Sequence, residues 1–191
     1  MRPVKTDQIR VGRLWYPVQT LGYGRRLGVW MQGCRKDCPG CISPEMKDPE
    51  KGEMRSISEV IRLAARHKPD GFTVSGGEPF DQPESLLALV RGFTQISDDI
   101  LVFTGYTLEE LHEMHSEAVE EVLGSIAVLV DGRYREKDND GRGLRGSSNQ
   151  TIYIRKYPER YADAENRQRT LQCVLLQDRL WMIGIPPDGE M

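Results

Sequence analysis

The chain has 191 residues, 38% of them apolar and 29% charged, with a formal net charge of −3. That suits one domain, or one domain with a small appendage, and is enough to bury a substantial core. The nearly balanced charge gives no whole-molecule pull towards nucleic acid or an anionic membrane. No run approaches the roughly 18 apolar residues that span a bilayer, and the opening stretch, MRPVKTDQIRVGRLWYPVQ, has no apolar h-region of a secretory signal. The expected location is the cytoplasm, with neither nucleic acid nor membrane as partner.

The elements follow in chain order. RLGVWMQG (26–33) is a short apolar run that reads as a strand and feeds into a loop rich in Pro, Gly and charge. SISEVIRLAARHK (56–68) reads as a helix with Ser56 as N-cap, Glu59 completing a capping box, and Ile57, Val60, Ile61 and Ala64 on one face. DGFTVSGGEP (70–79) is a strand ending in a Gly-Gly turn. QPESLLALVRGFTQI (82–96) is a helix with Pro83 in its first turn. DDILVFTG (98–105) is a third strand. Residues 107–124 read as one helix, capped by Thr107 and Glu110 and closed by Gly124. SIAVLVDG (125–132) is a fourth strand, a polar Gly- and Arg-rich stretch follows, and TIYIRK (151–156) is a short strand.

Strand and helix alternate, which predicts βαβ units and a parallel sheet with right-handed crossovers. The units are too few for an eight-fold barrel. The expected fold is therefore α/β, an incomplete, partial TIM-type barrel, with a core at about 10–155 and a C-terminal extension at 156–191 in a single 1–191 domain. In that extension YPERYADAENRQR reads as linker or short helix, and TLQCVLLQDRLWMIGIPP as a terminal β-hairpin turning near Gln177 and Asp178.

Function collects beyond the carboxyl ends of strands in such sheets. Four unusual features sit there: the loop MQGCRKDCPGCISPE after the first strand, SGGEP after the second, FTGY after the third and VDG after the fourth. The first carries three of the four cysteines, Cys34, Cys38 and Cys41, spaced C-x3-C-x2-C. Crowding of this kind in a reducing compartment means metal or redox chemistry rather than disulfides. Three thiolates would leave one iron of a [4Fe–4S] cluster open, or a zinc still needing a fourth ligand, for which the chain offers His67, His112, His115 or a remote cysteine. The fourth cysteine, Cys173, is flanked in a strand-like pattern and is expected to be a buried structural thiol. In SGGEP two glycines let a ligand approach the backbone, and Glu78 offers a carboxylate. Asp131 fits either a site carboxylate or a strand-ending Asp-Gly turn.

C-x3-C-x2-C followed by a strand ending in Gly-Gly-Glu-Pro resembles the radical S-adenosylmethionine enzymes. CPGC, FTGYTLEEL, VLVDGRY and LRGSSNQ, in that order over roughly residues 10–155, resemble the branch that activates anaerobic ribonucleotide reductase. The resemblance implies a [4Fe–4S] cluster on Cys34, Cys38 and Cys41, with the fourth iron chelated by the methionine moiety of S-adenosylmethionine. It implies cosubstrate contacts from Gly76, Gly77, Glu78 and Pro79, from Gly40 and Ile42 beside the last cysteine, from Thr104, Gly105 and Tyr106, and from Asp131. It implies one electron from a flavodoxin or ferredoxin, reductive cleavage to methionine and a 5′-deoxyadenosyl radical, and hydrogen abstraction from a backbone glycine of a large partner. Arg145 and Asn149 are candidates for contacts to the partner or cosubstrate. Arg133, Arg135 and Arg142 could steer an acidic partner. The alternatives are a radical enzyme that modifies a peptide or small molecule, and a non-catalytic iron–sulfur protein that passes electrons or senses redox state.

Overall fold

The computed structural model describes residues 7–176 and 179–187. Its main sheet has seven strands: β1 (Gln8–Val18), β2 (Arg26–Met31), β3 (Glu53–Ser56), β4 (Gly71–Gly76), β5 (Ile100–Phe103), β6 (Val128–Asp131) and β7 (Thr151–Ile154), in the order β3-β1-β2-β4-β5-β6-β7. Pairings β2–β4, β4–β5 and β5–β6 are parallel, and β1, β3 and β7 add antiparallel edges. The fold is thus mixed α/β with a parallel-rich sheet. Every residue of β2 and of β6 is buried, as expected of central strands covered on both faces.

Side chains alternate between two cores. Ile100, Val102 and Leu129 pack with Val60, Ala64, Leu89, Phe93 and Val122 from helices α1 (Ile57–His67), α2 (Pro83–Thr94) and α4 (Glu117–Ser125). Phe72 of β4 stacks on Phe93 of α2 at 3.7 Å between ring centroids. Leu101, Val128 and Val130 face the other way, onto Leu144, Tyr161 and Ala164. The segment expected as linker is therefore a run of turns whose Tyr161 and Ala164 plug the second core.

Three local expectations change. The helix expected over 107–124 is two, α3 (Leu108–Glu113) and α4, broken where His115 takes a positive φ of 47° and Ser116 starts a new cap. Thr107 and Glu110 do form a full capping box, but Ser56 and Glu59 do not, because the Ser56 hydroxyl bonds Ser58 instead. β1 and β3 stand in stretches without a periodic signal, and β1 carries two register irregularities against β2. In the tail, β8 (Gln172–Leu176) and β9 (Arg179–Ile183) pair antiparallel. The expected turn at Gln177 and Asp178 lies outside the described residues. Cys173 is exposed on this ribbon, opposite Met182, and is not the buried thiol expected.

The amino-terminal end of the sheet is closed by a buried ionic network. Arg26, fully buried at the start of β2, pairs with Asp99 at 3.2 Å and donates to Thr73 Oγ1 at 2.7 Å and to the carbonyls of Phe72 and Asp99. The Asp99 carboxylate also accepts from Arg160 and from the Tyr161 hydroxyl, both at 2.5 Å. Every charge here has partners, the condition under which a buried pair is tolerated.

Candidate active site

The opposite, carboxyl end of the parallel strands opens into a cavity of about 350 Å³, within the usual range for a small-molecule site. Cys34, Cys38 and Cys41 line it together, with Ile42, Ser75, Gly76, Gly77, Glu78, Thr104 and Gly105. Rim loops from β2, β4, β5 and, through Gly132, β6 thus meet at one place, as their positions after strand ends predict.

The glycines of the β4 loop do more than leave room for a ligand. Gly76 has a positive φ of 107°, and a Cβ there would sit 2.4 Å from the Met31 carbonyl oxygen. A Cβ on Gly77 would sit 2.2 Å from the carbonyl oxygen of Gly33, the residue before the first cysteine. Gly77 N–H donates to Met31 O at 2.7 Å, and Glu78 N–H to Gly33 O at 2.8 Å. The two glycines let the β4 loop lie backbone to backbone on the root of the cysteine loop. Any side chain would push that loop away.

Glu78 is almost wholly buried and spends its carboxylate on the protein. It accepts from Phe80 N–H at 3.1 Å, Thr104 Oγ1–H at 2.7 Å and Gly105 N–H at 2.8 Å, so it ties the β4 loop to the β5 loop. Burial lifts its pKa to about 7 against these hydrogen bonds. Pro79 is buried at the start of a 3-10 turn and does not line the cavity. Tyr106 does not line it either: burial, and then the hydrogen bond its hydroxyl donates to Asp81 at 2.9 Å, raise its pKa. Asp131 is buried below the rim, with its oxygens accepting from Leu108 N–H at 2.7 Å and Thr151 N–H at 3.2 Å. It anchors the start of α3 and β7 rather than facing the cavity. Gly40, at a positive φ of 67°, abuts the Glu136 carboxylate outside the lining. Arg145 pairs with Asp140, and the Asn149 amide donates to the Arg133 carbonyl, so both are engaged within the chain.

Several lining residues carried no signal in the sequence. Gln150 holds the 146–150 loop by accepting from Gly146 and Ser147 and donating to the Gly132 carbonyl. The Arg13 guanidinium lies 4.1 Å from the Trp181 ring and 5.6 Å from that of Trp30, joining the ribbon to β1 and β2. Trp181, Ile183 and Ile185 of the tail form one wall of the cavity. Lys36, between the first two cysteines, is buried against Gly105 and Tyr106. Its position inside the cysteine motif was the one available hint.

Among the described residues no three side chains of His, Cys, Asp and Glu converge into a metal-holding set. The three cysteines share the cavity and none is in a disulfide. Burial pushes the Cys34 and Cys41 thiols up, and for Cys34 the nearby Glu78, Asp81 and Cys41 add to it. Thiolates in such a place form when positive charge is supplied, which fits a thiolate-bound iron cluster. Among the described residues no histidine lines the cavity, and its two carboxylates are engaged, Glu78 by three donors and Glu45 by Arg13, so no free fourth ligand for a closed zinc site stands there.

Residues 20–153 match the family described as a 4Fe-4S single cluster domain. The chain is 30% identical over 151 residues to the anaerobic ribonucleoside-triphosphate reductase-activating protein of Escherichia coli strain K12, covering 73% of this chain and 95% of that one. It is 33% identical over 76 residues to the pyruvate formate-lyase-activating enzyme of Clostridium pasteurianum, 37% of this chain and 32% of that one. The solved structure of QueE from Escherichia coli overlaps 52% of this chain and 54% of its own, at a TM-score of 0.46 and 17% identity. The family match and the curated relatives, with the three-cysteine site, define a single-cluster iron–sulfur protein of the radical S-adenosylmethionine type. Within that class, the chain belongs to the family of anaerobic ribonucleoside-triphosphate reductase-activating proteins.

Proposed function

We propose that this chain generates a glycyl radical on anaerobic ribonucleotide reductase, using S-adenosylmethionine and a [4Fe–4S] cluster. One observation carries the reading: the three thiols, the Gly-Gly-Glu loop and the Thr104-Gly105 loop line a single cavity. Cys34, Cys38 and Cys41 would hold the cluster and leave one iron for the cosubstrate. When bound, the reduced cluster supplies the electron that cleaves S-adenosylmethionine to methionine and a 5′-deoxyadenosyl radical, which takes hydrogen from the partner's glycine.

The chain's own residues do the rest. Gly76 and Gly77 present backbone to the cavity and set its distance from the cysteine loop. Glu78 locks the β4 and β5 loops, so Thr104 and Gly105 would face the cosubstrate on fixed backbone. Ile42 would give the adenosine an apolar contact. Pro79, Tyr106 and Asp131 would act by holding these loops, and Gly40 by shaping the turn before the last ligand. The open sheet is read as a partial barrel whose lateral mouth admits a partner segment, with the tail ribbon as one wall. The 1–191 chain would work as one unit in the cytoplasm, reduced by a flavodoxin or ferredoxin. No helix among the described residues is long and apolar enough to cross a membrane.

The test is anaerobic mixing of the reconstituted, reduced protein with S-adenosylmethionine and anaerobic ribonucleotide reductase. Electron paramagnetic resonance should show a glycyl-radical doublet on the reductase. A fully loaded cluster that cleaves the cosubstrate but leaves the reductase without a radical would remove this partner.

A further inference from the structure

Lys36 is the least satisfied charge in the cavity. The residue is only 8% exposed, yet its ammonium makes neither a hydrogen bond nor an ion pair with any described residue. Its one close neighbour is the face of Tyr106, 3.1 Å from ammonium to ring centroid, and its stem lies against Gly105, where a Cβ would come within 2.6 Å of Lys36 Cδ. The Glu78 carboxylate feels the Lys36 charge but is committed to three other donors and forms no ion pair with it. The residue is largely buried, but its ammonium still reaches the cavity solvent, with a ring face rather than a carboxylate as its close contact. Among the neighbouring cations, Lys47 pairs with Asp37 at 2.8 Å and Arg13 with Glu45 at 3.3 Å, while Arg35 is exposed to solvent.

The backbone of Lys36 is also tied to the first cysteine, its N–H lying 3.4 Å from Cys34 Sγ. The ammonium therefore belongs to the loop that wraps the thiols and reaches from it to the rim of β5. Three thiolates make any iron cluster there anionic, and one-electron reduction adds a further negative charge. The electron comes from a one-electron donor and no atom moves in the step. A fixed cation in low dielectric favours the more negative state.

We infer that Lys36 is a positioning and tuning residue, a built-in counter-charge that stabilises the reduced form of the cluster. The inference rests on the reading that Cys34, Cys38 and Cys41 hold that cluster. The test uses the anaerobically reconstituted full chain, with Lys36→Met to remove the charge and Lys36→Arg to keep it. The midpoint potential is measured by dithionite titration followed by electron paramagnetic resonance, beside iron content and the affinity for S-adenosylmethionine. The expected result is a lower midpoint potential in Lys36→Met at wild-type iron content, with Lys36→Arg close to wild type. An unchanged potential in a fully loaded Lys36→Met overturns the inference. So does an unchanged potential with weakened S-adenosylmethionine binding, which would hand the ammonium to the cosubstrate carboxylate. Wild-type protein that takes up no cluster would overturn the cluster reading itself, and this inference with it.

Discussion

Two buried cations flank strand β2, ten residues apart, and their surroundings are opposite. Arg26 at the amino end is wrapped by Asp99, Thr73 and three carbonyls, and Asp99 is in turn held by Arg160 and Tyr161. Lys36, just beyond the carboxyl end, lies over an aromatic face and forms no ion pair or side-chain hydrogen bond with a described residue. The first is saturated within the chain and closes the fold. The second keeps its donors free beside a cavity lined by three free thiols. The difference separates the end of the sheet that stabilises from the end that binds. Burial alone does not distinguish them; completeness of pairing does.

The largest stability effect should come from the saturated end. Asp99→Ala would strand Arg26 without its carboxylate and leave Arg160 and Tyr161 without an acceptor, costing about 3–5 kcal/mol in denaturant unfolding. A loss comparable to an exposed ion pair would break the comparison. At the binding end Gly77→Ala should act mainly on function. Its Cβ meets backbone that cannot rotate away, so the cysteine loop must shift. The expected outcome is roughly a hundredfold loss of 5′-deoxyadenosine formation with about 1–3 kcal/mol of lost stability. Unimpaired cleavage would mean that the close approach of Gly77 to Gly33 is incidental.

A smaller effect is expected from Trp181→Ala, which removes a cavity wall and the stack on Arg13. Stability should fall by about 1–2 kcal/mol, and the cluster should bleach faster in air, followed by absorbance. Equal bleaching would show that the tail does not shield the site. The mildest test is pH. Because the folded pKa of Glu78 is raised to about 7, its contribution to stability is complete below the ordinary carboxyl value and is lost as pH rises through about 7. In the cluster-free protein, the margin in melting temperature of wild type over Glu78→Gln should narrow from pH 5 to pH 8. A margin that widens would contradict a raised pKa.

Much of the binding end was legible because its chemistry is local in sequence. The cysteine spacing, the Gly-Gly-Glu turn and the Thr107–Glu110 capping box each fall within a few residues, and they stand where strand ends put them. What was hidden depends on distant partners. Glu78 read as a ligand group, but its carboxylate is claimed by Thr104 and Gly105, 26 and 27 residues away. Asp131 is claimed by Leu108 and Thr151 in the same manner. Lys36 looked like one more loop charge, because its burial comes from the β5 loop. β1 hid its strand character, since its middle residues are half-buried and its register against β2 is irregular. The tail read as an appendage, and only the packing of Trp181, Ile183 and Ile185 on the cavity makes it part of the site.

The most direct test of the account is chemical. The protein would be reconstituted anaerobically with iron and sulfide, reduced, and given S-adenosylmethionine, with 5′-deoxyadenosine measured by chromatography beside a Cys34→Ala variant. The account predicts product from the wild type and only background from the variant. A fully loaded, reducible cluster that yields no 5′-deoxyadenosine, even with the reductase added, would contradict it.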